Sequence, residues 1–132
     1  MTIPFLSRHI PTEAQAVTLR ERFGEMTLPV APVYEPSRVR AQIWHAAPET
    51  RQAEMSRRRV VVAGVFPGWA LLELLRAGWM VVEFVNEPSA RDRGTFVCRG
   101  AFVHTIEESE WIECPISVAE QGAPTGGLFA KP

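Results

Sequence analysis

Residues 60–85 constrain the fold more than any other stretch. Val60-Val61-Val62-Ala63 is an apolar, β-branched run of the kind that forms a strand buried on both faces. Gly64 to Gly68 reads as a turn, Trp69 to Arg76 as an apolar helix stopped at Gly78, and Met80 to Val85 as the next strand. Strand, glycine turn, helix and strand make a βαβ unit, whose crossover should be right-handed. Such a unit needs parallel neighbours and helices to cover both faces.

The preceding residues supply both. Ile3 to Leu6 is a short apolar strand candidate whose carboxyl end exposes Ser7, Arg8 and His9. Thr12 and Gln15 have the spacing of a capping box, so a helix should start there. Ala16, Leu19 and Phe23 then recur at helical intervals before a stop at Gly24. Leu28 to Tyr34 is a second strand candidate, and its prolines place it at an edge or make it irregular. Ser37 can cap a helix carrying Val39, Ile43 and Ala46. Residues 48–59 are polar and basic, either helical or a connector.

Beyond Val85, residues 86–94 read as a polar loop containing Asn86, Arg91 and Arg93. Thr95 to Cys98 and Ala101 to Ile106 alternate as two strands, and Trp111 to Val118 offers one more. The expected fold is a small three-layer, Rossmann-like α/β sandwich, with a parallel core extended by antiparallel C-terminal strands. It should occupy residues 1–120 as one domain, with 121–132 as a loose tail.

Composition narrows the function. A chain of 132 residues suits one domain, and 46% hydrophobic with 22% charged residues is ordinary globular usage rather than disorder. A net charge of −1 excludes a global basic field for duplex DNA or anionic membrane. The apolar runs are too short for a membrane span, and the expected location is cytoplasmic, in a bacterium or in the host of a phage. Cys98 and Cys114 do not make a disulfide framework and read as core or edge thiols. No metal-ligand spacing appears, and no metal or cofactor is expected. Lys131 is the only lysine, so the available cations are forked guanidiniums that suit phosphate.

Ligands of open α/β sheets bind beyond the carboxyl ends of the strands. Ser7 to His9, Gly64 to Gly68 and residues 86–94 should reach that edge. The candidate ligand-binding residues are Ser7, Phe66, Pro67, Gly68, Trp69, Asn86 and Arg91. The amides of Gly68 and Trp69 can take phosphate oxygens, and Arg8, Arg91 or Arg93 can neutralise them. Each has a plainer reading: a solvated strand end for Arg8 and His9, a tight turn for Gly64 to Gly68, a turn residue for Asn86, a solvated loop for the arginines, and core for Trp69 and Trp79. His104 reads as structural, and the glutamates of residues 107–113 as a solvated face.

FLSRHIP, residues 5–11, resembles the FVSRHPG opening of a small CRISPR-associated family of type III accessory proteins, the ring nucleases. VVVAGVFPGWALLELLRAG, residues 60–78, is similar to that family's valine-rich strand, GxxP turn and leucine-rich helix. Pro88 and Arg93-Gly94 fall near its later proline and Arg-Gly. Ile10 and Thr12 depart from the pattern, as do residues 95–108. The RHxPTxxQ start also resembles small uncharacterised phage and plasmid proteins.

The ring-nuclease resemblance implies a cyclic oligoadenylate substrate, cut without metal by attack of a ribose 2′-hydroxyl on the adjacent phosphodiester. Arg8, His9 and Arg93 would be the catalytic set, with Arg8 and Arg93 on the scissile phosphate and His9 as general acid or base. The symmetry of a ring ligand favours a two-fold homodimer. Two other readings stay open. One is a module that sequesters a nucleotide without cleaving it. The other is a phage-type protein-interaction domain using the Trp111 region or the arginines at 57–59.

Overall fold

Alternation and helix signals resolve into strands β1 (Ile3–Leu6), β2 (Thr27–Val30), β3 (Val61–Gly64), β4 (Met80–Pro88), β5 (Thr95–His104), β6 (Ser109–Glu113) and β7 (Ala123–Pro124). The helices are α1 (Glu13–Phe23), α2 (Val39–Ala46), α3 (Pro48–Met55) and α4 (Gly68–Arg76). The computed structural model describes residues 3–7, 11–25, 27–30, 35–36, 38–88, 95–114 and 123–124. Arg8, His9, Ser37, Arg91 and Arg93 lie outside these residues.

One sheet runs β2-β1-β3-β4-β5-β6, with β7 paired to β5. The first four strands are parallel and the later ones antiparallel. The fold is therefore α/β, with a parallel core extended as expected. The chain moves from β1 to one side, returns past it to β3 and continues to β4. Right-handed crossovers then require α1 on one face and the later helices on the other. Two cores match this. Ala14 and Leu19 of α1 pack on Ile3, Phe5, Val82 and Phe84. Val39, Ile43, Ala53, Ala70 and Leu74 of α2–α4 pack on Leu6, Val30, Val62 and Val81.

The local signals were largely followed. Thr12 caps α1 through a reciprocal capping box with Gln15, and Gly24 ends it at φ 71°. The buried side of α1 differs from the expected one: it carries Ala14, Gln15, Thr18 and Leu19, while Ala16 is half-buried. Arg38, rather than Ser37, is the N-cap of α2, and no side chain bonds to that end. Residues 48–55 are helical, begun by a proline in the first turn where its missing N–H costs nothing. Pro29 sits in β2 at the sheet edge, where a ladder donor can be spared.

The main corrections concern the C-terminal third. Asn86, Glu87 and Pro88 extend β4 instead of opening a loop, because each pairs with β5. The two strands expected over 95–106 are one strand, β5. Val85 pairs with Gly100 and Asn86 with Cys98, so Arg99 is an extra residue in a β-bulge. The bulge changes the phase of alternation, turning Cys98 inward alongside Ala101 and Val103. Gly100 is required beside it. A Cβ there would stand 2.4 Å from the Ile112 carbonyl oxygen and 2.6 Å from the Trp111 ring. Of the strand expected over Trp111 to Val118, Trp111 to Glu113 belong to Ser109–Glu113 and residues 115–118 lie outside the described residues; within the expected tail, Ala123–Pro124 pairs with Thr95 and Phe96.

Candidate functional site

Strand order reverses between β1 and β3, so the crevice at their carboxyl ends is the switch point of the sheet. Ser7 leaves β1 there, its amide donating to the Val30 carbonyl at 3.0 Å. Across from it, Gly64 ends β3 at φ 149°, where a Cβ would lie 2.9 Å from the Leu6 carbonyl oxygen. Only a glycine lets the two strands close so tightly at this point. The turn that follows exposes Val65 and buries Phe66 in the core under α4. Phe66 therefore anchors the turn, and its ring does not line the edge.

Pro67 is the N-cap of α4, with no side-chain cap. The amides of Ala70 and Leu71 both donate to the Pro67 carbonyl, at 3.0 Å each. The N–H groups of Gly68 and Trp69 precede these bonds and point out of the helix end, the geometry that suits an anion. Gly68 and Trp69 are exposed, unlike Trp79, which is buried. The Trp69 indole borders a shallow groove of about 340 Å³ along α4, shared with Pro36, Leu72, Glu73 and Arg76.

Asn86 reaches the same edge from the opposite face. Its parity with Val82 and Phe84 puts it on the α1 side, and it is exposed. Gln15 Nε2 donates to Asn86 Oδ1 at 3.2 Å, while Gln15 Oε1 accepts from the Thr12 amide at 3.0 Å. The capping box of α1 thus fixes the orientation of the Asn86 amide. Ser7 and Gly64 to Trp69 meet at the crevice, and Asn86 stands across the sheet from Trp69. Pro88 lies beyond Glu83, the partner of Gly64, by five residues (83 to 88), about 16 Å of ideal strand. Arg91 and Arg93 follow Pro88 in the sequence and lie outside the described residues.

A second polar cluster was missed in the sequence. His104 on β5 places Nδ1 2.6 Å from Ser109 Oγ and Nε2 3.2 Å from Glu83 Oε1. Phe102 stacks on the imidazole at 5.8 Å between centroids, and Trp111 meets Phe102 edge-on at 4.9 Å. The order hydroxyl, imidazole, carboxylate is that of a nucleophile, its base and an orienting group. The surroundings are those of a cross-strand lock: Ser109 directly opposes His104 in the hairpin, and the grooves along α2–α4 are lined by other residues. Its sequence signal was the parity of 102 and 104 with 109 and 111 across a short turn.

Among the described residues, no cluster of three or more His, Cys, Asp or Glu could hold a metal ion. None of their helices is long and apolar enough to cross a membrane. No family model, curated protein or solved structure matches the chain.

Proposed function

We propose that the carboxyl edge of the parallel strands binds a phosphate-bearing nucleotide, and that this nucleotide is a cyclic oligoadenylate cleaved without metal. One observation carries the reading. The switch point between β1 and β3 lies beside an α4 amino terminus that no side chain caps, with the exposed Trp69 indole next to it. The helix end supplies donors for phosphate oxygens, and the indole offers a face for base stacking.

In this reading the amides of Gly68 and Trp69, with Ser7, hold non-bridging oxygens. Arg8 and Arg93 neutralise the phosphate, with Arg91 and Asn86 holding the far side of the ring. A ribose 2′-oxygen attacks the adjacent phosphorus, and the bond to the 5′-oxygen breaks. His9 moves the proton, taking it from the 2′-hydroxyl or giving it to the departing 5′-oxygen. The products are a 2′,3′-cyclic phosphate and a free 5′-hydroxyl. In-line orientation and charge stabilisation supply the rate. A two-fold pair of chains would place two such sites over one ring.

Incubation of excess protein with cyclic tetra- and hexa-adenylate in EDTA, resolved by liquid chromatography, tests this. Linear products with cyclic-phosphate ends are expected, lost in Arg8→Ala. His9→Ala should slow turnover by about 10²–10⁴-fold while binding persists. Intact rings that co-elute with the protein would replace cleavage with sequestration. Absence of both cleavage and binding would overturn the nucleotide reading.

A further inference from the structure

The bulge in β5 places two thiols in contact. Glu113 of β6 pairs with Gly100, and the Cys114 amide donates to the Arg99 carbonyl at 3.3 Å. In an unbroken ladder, Cys98 and Cys114 would then face opposite sides of the sheet. The extra residue at Arg99 turns Cys98 to the α1 face, where Cys114 already points. Gly100, between them in the ladder, lets β6 approach without a side chain in the way. The two Sγ atoms come to 3.1 Å. That is about 1 Å beyond a disulfide bond length, a gap that side-chain rotation can close.

We propose that Cys98 and Cys114 form an oxidation site, closed by peroxide to an intrachain disulfide that staples edge strand β6 to the bulge in β5. Both residues are buried, with Cys98 1% and Cys114 6% exposed, so a small oxidant is favoured over a bulky disulfide. Cys114 is the sulfur that reacts first. It is the more exposed of the two and lies just past the end of an edge strand. Its neighbours also favour its thiolate. The Cys98 thiol hydrogen-bonds to it, and the Thr18 hydroxyl, which donates to the Ala14 carbonyl at 2.7 Å, lies 3.3 Å from it. Against the cost of burial these hold its pKa at about 7, below the ordinary 9.0. Cys98 is pushed upward by the same hydrogen bond and by burial, so it remains the proton-bearing partner.

Oxidation proceeds in two steps. The Cys114 thiolate attacks one peroxide oxygen, the O–O bond breaks, and sulfenic acid and hydroxide form. The Cys98 sulfur then attacks the Cys114 sulfur. The S–O bond breaks, and the departing hydroxide takes the Cys98 proton as water. Overall, two thiols lose two electrons and two protons to one peroxide, which becomes two waters.

The test uses the full reduced chain and dilute hydrogen peroxide, followed by denaturation, alkylation and intact mass measurement. The expected product is a monomer about 2 Da lighter, with no alkylated cysteine and full recovery by dithiothreitol. Peptide mapping should join Cys98 to Cys114 within one chain. In Cys98→Ser the reaction should stop at a Cys114 sulfenic acid trapped by dimedone. Two alkylated cysteines after treatment, a disulfide between chains, or over-oxidation of wild-type Cys114 to sulfinic acid would each overturn the proposal.

Discussion

At the residue scale, a few side chains set the geometry of the candidate edge. Thr12 and Gln15 close the first turn of α1 and, through Gln15, hold Asn86. Thr12→Ala should therefore cost about 1 kcal/mol in urea unfolding, the usual worth of an N-cap. Gly100→Ala should cost more, about 1–3 kcal/mol, because its Cβ meets a backbone carbonyl that cannot rotate away. An unchanged urea midpoint in either variant would contradict these packing assignments. The thiol pair makes stability depend on pH. Cys114 has its folded pKa lowered to about 7 from 9.0, so its contribution is complete above pH 9 and lost as pH falls through about 7. Unfolding free energy should rise between those values in wild type relative to Cys114→Ser, as read by urea titration. Above pH 9 the raised pKa of Cys98 reverses the slope, since the unfolded chain then binds fewer protons.

At the scale of elements, what could be read in advance was what local chemistry decides. The capping box at Thr12, the βαβ unit of residues 60–85 and the edge strand at Pro29 each rest on interactions within a few positions. The bulge at Arg99 does not. It arises because β5 must pair with β4 and β6 at once, and it breaks the alternation from which sequence reading works. The same break hid the approach of Cys98 to Cys114, and the hairpin register hid the meeting of Ser109, His104 and Glu83. At the edge, the turn and helix start were legible as candidates. The inward ring of Phe66 was not, because only the position of α4 decides it. Helix α4 is the element on which the site depends most. Leu74, fully buried beneath it, anchors its second half on the sheet. Leu74→Ala should cost about 2–5 kcal/mol by chemical denaturation and loosen the amino-terminal turn that offers its amides to a ligand. A loss below about 1 kcal/mol would mean that α4 is not seated on this core.

At the scale of the whole molecule, the reversal of strand order gives the chain a crevice with a helix start beside it. Residues from separate segments converge on this edge: Ser7 after β1, Gly64 to Trp69 between β3 and α4, and Asn86 on β4. The helical face offers a competing surface. There Arg40 pairs with Glu54 at 2.6 Å, and Arg40 and Arg51 lie over the Trp44 ring. Because Glu54 also accepts from the Trp44 indole at 3.1 Å, these groups are already engaged with one another. An anion should accordingly prefer the open α4 terminus. The most direct measurement is an amide NMR titration of isotope-labelled protein with cyclic tetra-adenylate. The largest shifts should fall on the Gly68 and Trp69 amides and the Trp69 indole, with smaller ones at Ser7 and Asn86. Shifts centred on Trp44 and Arg40, or none at saturating ligand, would contradict binding at this edge.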